Sequence, residues 1–330
     1  MKAKFSAVAV VFGSTADRYV LKGYTPARTL DQMLDDAAQV PGLTGIELIG
    51  GWHLNDSNQE KVLKSIADHG FEISMLIPEL WADGKWGWGT LTSADPAIRA
   101  AAKDRIRVAM DLAHQVGCNR VSPWFGHDGY DYVLQADYIR AWDQLVEGLT
   151  ACAEHDPGVR VAVEYKLKEP RTHAFVGSTA KALLLVQEVN RPNVGVNLDV
   201  GHALLGYESM AESVALLSRF GDKLFHLHLN DNYRSWDDDM IPGSVHTLEW
   251  IEFFYWLART GYDGWLSLDV FAYRERDKVA VGRESIAWLE TLMGAADRLD
   301  RAQVEAVLAS GDAMLATRLL REALVGKGRM

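Results

Sequence analysis

Hydrophobic positions along this chain fall into two alternating patterns. Short, nearly continuous apolar runs occupy residues 5–12, 45–49, 72–77, 120–124, 160–164, 194–199, 224–229 and 264–269. Each is rich in Val, Ile, Leu or Phe and reads as a buried strand. Between them, apolar residues return every three or four positions over 30–40, 58–69, 96–116, 138–155, 179–190, 209–220 and 247–260, the spacing of amphipathic helices. Gly70, Gly117, Gly221 and Gly261 follow four of these stretches, where a left-handed helix cap needs glycine. An eighth helix starts near Gly282 and runs toward Met293, and residues 298–326 read as one or two more. Strand–helix alternation without a polar linker predicts one α/β domain, a single (β/α)8 barrel over residues 1–296, followed by a helical tail over 297–330.

The polar residues that end the last four runs are unusual. Glu164 follows RVAV, Asp199 follows VGVNL, His228 follows LFHL and Asp269 follows WLSL. Their intervals of 35, 29 and 41 residues are each close to one strand–helix unit. Groups at the C-terminal ends of parallel strands converge when the strands close into a barrel. Unpaired buried charge is costly, and a divalent metal at the convergence point removes that cost.

Composition narrows the partners. The formal net charge is −11 at pH 7, and an acidic surface disfavours nucleic acid. No run approaches a transmembrane span, and the run at 7–12 reads as a first strand, not a signal core. Two cysteines, Cys118 and Cys152, make no disulfide framework and fit a reducing, cytoplasmic setting. Of the 11 tryptophans, Trp52, Trp81, Trp86, Trp88, Trp124 and Trp236 fall in expected loops, where they either wall a pocket or pack loops onto the barrel.

Several neighbours of the strand ends carry chemistry. Lys166 lies two residues past Glu164 and points to the same side, either toward a ligand oxygen or into an ion pair with that glutamate. His202 lies three residues past Asp199, as a second ligand or as a structural histidine near the next helix. His226 and His228 face one side of their strand; His228 is the outer, ligating one, and His226 supports it from below. Asp237 and Asp239 flank Asp238 in the following loop, where they either share a cation or form solvated surface. His53, after Gly50-Gly51-Trp52, is either a proton shuttle at the pocket rim or a surface histidine.

Four segments then resemble one family in order. EYKLKEPR at 164–171 resembles the xylose isomerase signature Glu-x-Lys-x-x-Glu-Pro-Arg. GVNLDVGH at 195–202 is similar to Gly-Leu-Asn-Pro-Glu-x-Gly-His. LFHLHLNDNYRSWDDDMIPG at 224–243 resembles Leu-Phe-His-Ile-Asp-Leu-Asn followed by Asp-x-Asp, and PWFGHDGYDY at 123–132 resembles Trp-Gly-Gly-Arg-Glu-Gly. Four such matches in order at barrel spacing are more specific than any one. The resemblance, to the xylose isomerase-like TIM-barrel superfamily, implies an aldose–ketose isomerase that moves a hydride between C1 and C2 over two divalent ions, Mn²⁺, Mg²⁺ or Co²⁺. It implies Glu164, Asp199, His228 and Asp269 around the first ion, and Asp199, His202, Asp237 and Asp239 around the second. Lys166, His53 and Asp237 become the catalytic candidates. Trp124, His202 and Lys166 become substrate contacts. It also implies a monosaccharide substrate and a homo-oligomer, dimer or tetramer. Xylose isomerases carry carboxylates where this chain has His228, and a lysine where it has Phe271. The Glu/Asp/His/Asp set is closer to bacterial L-rhamnose isomerases.

Three other enzymes of the superfamily compete. A one-metal ketose 3-epimerase would use Glu164 and Asp269 as acid and base, with Arg234 holding substrate. A metal-dependent lyase on oxidised glycosides would resemble C-glycoside deglycosidases. Endonuclease IV shares the barrel, but the acidic chain argues against DNA. A sugar-binding barrel without turnover is the non-enzyme reading.

Overall fold

The computed structural model describes residues 3–55 and 57–326. Eight parallel strands close into a barrel. In chain order the strands are β1 Lys4–Val8, β2 Leu43–Gly50, β3 Glu72–Pro78, β4 Arg120–Val121, β5 Gly129–Tyr130, β6 Arg160–Glu164, β7 His173–Ala174, β8 Val194–Asp199, β9 Leu224–Leu229 and β10 Trp265–Leu268. The barrel runs β1-β10-β9-β8-β6-β4-β3-β2, and the short β5 and β7 pair antiparallel above it. Strands covered on both faces must be apolar throughout, which is why they read as runs instead of alternations. The outer layer is α1 Leu30–Ala37, α2 Gln59–Asp68, α3 Pro96–Gln115, α4 Tyr138–Ala153, α5 Thr179–Val189, α6 Val200–Leu205, α7 Met210–Arg219, α8 Thr247–Thr260 and α9 Lys278–Asp297. Side chains that accept from the first-turn amides start many of them, among them Thr29, Asp95, Asp137, Ser178 and Ser209.

The structure departs from the pattern where a continuous run hides a turn. The run expected as one strand over 5–12 is a strand only to Val8, and Ala9–Phe12 is a 3₁₀ turn. Ala9, Val11 and Phe12 are buried, so burial alone made them look like strand. Trp124 and Asp269 fall just beyond their strands, although Trp124 still bridges to Glu164. The short α6 starts directly at Asp199, whose Oδ1 accepts from the His202 amide at 2.8 Å. A Cβ at Gly201 would stand 1.7 Å from Asn230 Oδ1, so only glycine lets α6 lie this close to the end of β9.

The tail forms α10 Arg301–Ser310 and α11 Ala313–Val325. It folds back on the barrel: Arg298 Nε donates to the Ala323 carbonyl at 2.7 Å, and Leu320 and Leu324 pack on the core. Cys118 and Cys152 are buried free thiols. No helix among the described residues is long and apolar enough to cross a membrane.

Candidate functional site

At the C-terminal mouth of the barrel lies a cavity of about 460 Å³. Its floor comes from the ends of β6, β8, β9 and β10. Glu164, Asp199, His228 and Asp269 each place one donor atom within 4.8 Å of the others. His228 Nδ1 lies 3.2 Å from Asp269, 3.3 Å from Glu164 and 3.9 Å from Asp199.

The opposite ring nitrogen is held from below. Glu47, on β2, is fully buried and accepts from His228 Nε2 at 3.0 Å and from His226 Nε2 at 2.7 Å. With Nε2 committed to Glu47, His228 turns its Nδ1 toward the three carboxylates, where it has no hydrogen-bond partner. Burial would raise the Glu47 acid, but the two imidazoles outweigh it and hold the carboxyl well below its ordinary range. Glu47 was not singled out in the sequence; its one signal is an acid inside the apolar run LTGIELIG. His226 lies beneath the mouth, as its period-two spacing predicts, and burial pulls its pKa down to about 4.

A second polar group sits against the first. His202 Nε2 meets Asp237 Oδ2 at 3.1 Å, and His202 Nδ1 lies 3.5 Å from Glu164. Lys166 Nζ pairs with Asp237 at 2.7 Å and with Glu169 at 2.6 Å, and lies 5.3 Å from the Trp124 ring centroid. Lys166 therefore shares the pocket with Glu164 without pairing to it. Asp239 is buried beside them and makes no ion pair among the described residues. Burial first, then the Asp237 and Asp269 charges, push its acid well above the ordinary value. Asp238 points away and accepts from the Tyr233 amide.

Aromatic and aliphatic side chains form the walls. Trp52, Trp81 and Trp124 stand in a row with ring centroids 5.5 and 5.8 Å apart, and Val8, Ile77 and Phe271 line the cavity nearby. Of the other loop tryptophans, Trp86 is buried packing, whereas Trp88 and Trp236 are exposed.

Two expected contacts are corrected. His53 lines a separate cleft with Arg28 and Lys61, because its Nδ1 accepts the Ile49 amide at 3.1 Å and turns the ring away from the mouth. Arg234 does not line the pocket either. Its left-handed backbone directs it outward to Glu249 at 2.8 Å and His246 at 3.2 Å.

The residues present suit divalent cations. One imidazole nitrogen without a partner faces three carboxylates, and such an oxygen-rich set matches Mn²⁺, Mg²⁺ or Co²⁺ better than structural zinc. His202 Nδ1 and Asp237 Oδ1 are also buried without partners.

A xylose isomerase-like TIM barrel family model matches residues 34–292. The chain belongs to this xylose isomerase-like family. It is 28% identical over 224 residues to a xylose isomerase of Thermus thermophilus, covering 66% of this chain and 58% of that protein. A xylose isomerase of Paraburkholderia xenovorans is 28% identical over 189 residues, covering 55% of this chain and 42% of that one. The chain thus spans about half the length of the curated relatives it matches. Among solved structures, an L-ribulose 3-epimerase superposes with a TM-score of 0.69 at 18% identity, over 94% of this chain and 98% of its own. A D-psicose 3-epimerase gives 0.67 at 18% identity, over 88% and 99%. Proteins of this barrel fold therefore include both isomerases and epimerases, and the fold alone does not choose between them.

Proposed function

We propose that this protein is a two-metal aldose–ketose isomerase acting between C1 and C2 of a sugar, with a ligand set closest to that of L-rhamnose isomerases. The observation that carries this reading is Asp239. It is a buried carboxylate beside Asp237 that makes no ion pair among the described residues; Lys166, already paired with Asp237 and Glu169, offsets it only in part. A one-metal epimerase has no use for that pair. An enzyme with a second ion held by Asp199, His202, Asp237 and Asp239 does.

Bound divalent ions would supply charge that draws electron density from the sugar's C1 and C2 oxygens. The protein supplies the rest. Lys166 presents a buried ammonium to the pocket, suited to donate to O1 as negative charge develops there. Asp237, anchored by Lys166 and His202, offers its unpartnered Oδ1 as an acceptor for the O2 hydroxyl proton. Trp124 and Trp81 exclude water from the migrating hydrogen, which favours transfer within the substrate over exchange with solvent.

The deciding experiment is Asp237→Asn/Asp239→Asn. Metal stoichiometry should fall from two per chain to one, and C1–C2 isomerisation should be lost while Glu164, Asp199, His228 and Asp269 still bind. Turnover in D₂O should leave the wild-type product free of solvent deuterium. Persistent deuterium incorporation at C3 by the double variant would sink the isomerase and establish a one-metal 3-epimerase.

A further inference from the structure

A second opening, of about 900 Å³, adjoins the mouth. Arg28, Arg274, Arg276 and Lys278 line it, together with Tyr24 and Tyr273. Tyr273 also lines the metal-facing cavity, so one side chain is the wall of both. Phe271 stacks on Tyr273, and Tyr273 meets Tyr24 edge-on, each pair with centroids 6.2 Å apart. A continuous aromatic strip thus leads from the pocket into the cleft.

The charge of this cleft runs against that of the molecule, which is −11 overall. Its cations are also incompletely matched. Lys278 is only 3% exposed, yet its ammonium donates to the Ala272 carbonyl and has no carboxylate within 4.0 Å among the described residues. Arg276 likewise makes no ion pair among them. Arg28 pairs with Asp36 at 2.8 Å but leaves a buried Nε without a partner. Arg274 is set in place over the Tyr24 ring at 4.9 Å and donates to its hydroxyl at 3.3 Å. The nearby acids accept from other donors and act on these cations only from beyond ion-pair distance: Asp17, which accepts from Tyr24, faces Arg274; Glu275, which accepts from the Arg274 amide, faces Lys278; and Asp277 caps α9. A buried ammonium without a direct ion-pair partner is costly, and an incoming anion reduces that cost. Guanidinium forks suit the paired oxygens of phosphate, sulfate or carboxylate.

We propose that this cleft is an anion subsite and that the substrate is a sugar bearing a phosphate, sulfate or carboxylate at the end remote from C1. The substrate part rests on the isomerase reading above; the anion site does not. With C1 and C2 over the ligand cluster, the far end of the chain passes Tyr273 and meets the arginines. A neutral sugar would leave Arg274 and Arg276 without an ion-pair partner, so the cleft selects by charge.

Two measurements on the metal-loaded protein test this, using wild type and Arg274→Gln/Arg276→Gln. First, titration with sodium sulfate by calorimetry should show one site, weakened about tenfold or more in the variant. Second, kcat/KM should be compared between neutral aldoses and their terminal phosphates and uronic acids. The anionic-to-neutral ratio should exceed about 10 in wild type and fall at least tenfold in the variant, the loss of one charge-assisted contact. Sulfate binding that depends on the arginines, with no sugar of either class isomerised, upholds the subsite and removes the isomerase. Neutral sugars turned over as well as anionic ones, with no sulfate site, overturn the subsite and leave the isomerase standing. Sulfate that binds but does not compete with an anionic sugar overturns the substrate assignment.

Discussion

Glu47 and Lys166 each serve two partners, and each can be tested alone. Glu47 accepts from both imidazoles of β9, which fixes where the His228 proton resides. Glu47→Gln keeps the shape but can accept from only one of them. Affinity of the Glu164–Asp199–His228–Asp269 group for Mn²⁺ or Co²⁺ should fall about 10- to 100-fold. Calorimetry and the visible spectrum of the Co²⁺ form would register that fall; an unchanged affinity would make Glu47 mere filling. Lys166 is buried against Asp237 and Glu169. Lys166→Met should lower kcat about 100-fold or more, as loss of a donor to developing charge does. It should also lower the melting temperature of metal-free protein, because Asp237 loses its ammonium, and added metal should recover much of that loss. Full activity in this variant would leave Lys166 a plain ion-pair partner.

At the scale of elements, the strand ends were legible because burial made each strand an apolar run, so a charged residue at its end stood out. Glu164, Asp199, His228 and Asp269 were found that way, and the structure gathers them. Glu47 escaped because it lies inside its run, where only its depth in the barrel and the imidazoles opposite reveal a purpose. His53 and Arg234 were misplaced for a different reason. Both sit in loops, and loop side chains take their direction from backbone angles and local acceptors that periodicity does not encode. The cleft by Tyr273 was hidden for the same reason, since it joins residues some 250 positions apart, as in the contact of Arg274 with Tyr24. The 3₁₀ turn after β1 was unreadable because a buried turn and a buried strand have the same composition.

Across the whole molecule, the mouth concentrates like charge: Glu164, Asp199, Asp237, Asp239 and Asp269 all border one cavity or its floor. Metal removal should therefore destabilise the fold, and metal at 100 times its Kd should add about 2.7 kcal/mol per site. The effect has a direction in pH. Without metal, burial and the neighbouring carboxylates raise the Asp199 acid to about 7, although His202 opposes them. Burial lowers His202, but Asp199 and Asp237 outweigh it and bring the imidazole to about 9. Both folded-state values lie above those of the unfolded chain. Their stabilisation is thus complete in acid and is lost as pH rises through about 7 and then about 9. Glu164 and Asp237 are shifted the other way, and their window lies below pH 5. The melting temperature of metal-free protein should fall from pH 6 to pH 9, and the gain on adding metal should widen over the same range. A gain that narrows would contradict the proton–metal competition.

The loop that carries Asp237 and Asp239 leaves β9 and is pinched shut at its base by two hydrogen bonds between the backbones of Asp231 and Met240. The Asp231 carboxylate in turn takes the amides of Val245 and His246, the His246 ring and the Trp250 indole at the start of α8. The Asp231 carboxylate thus ties the base of the loop to α8, while Lys166, His202 and the Phe271 amide hold Asp237 and Asp239 from the barrel side; the first ligand group is built on strand ends at the barrel mouth. Wear on the molecule then has an order. Heating that loosens the first turn of α8 should slacken the base of the loop and release the ion proposed there, with the barrel still closed and the strand-end ligands still in place. A sample aged at moderate temperature should lose turnover and one equivalent of metal while its far-ultraviolet dichroism is unchanged, and fresh metal on cooling should return it to full activity.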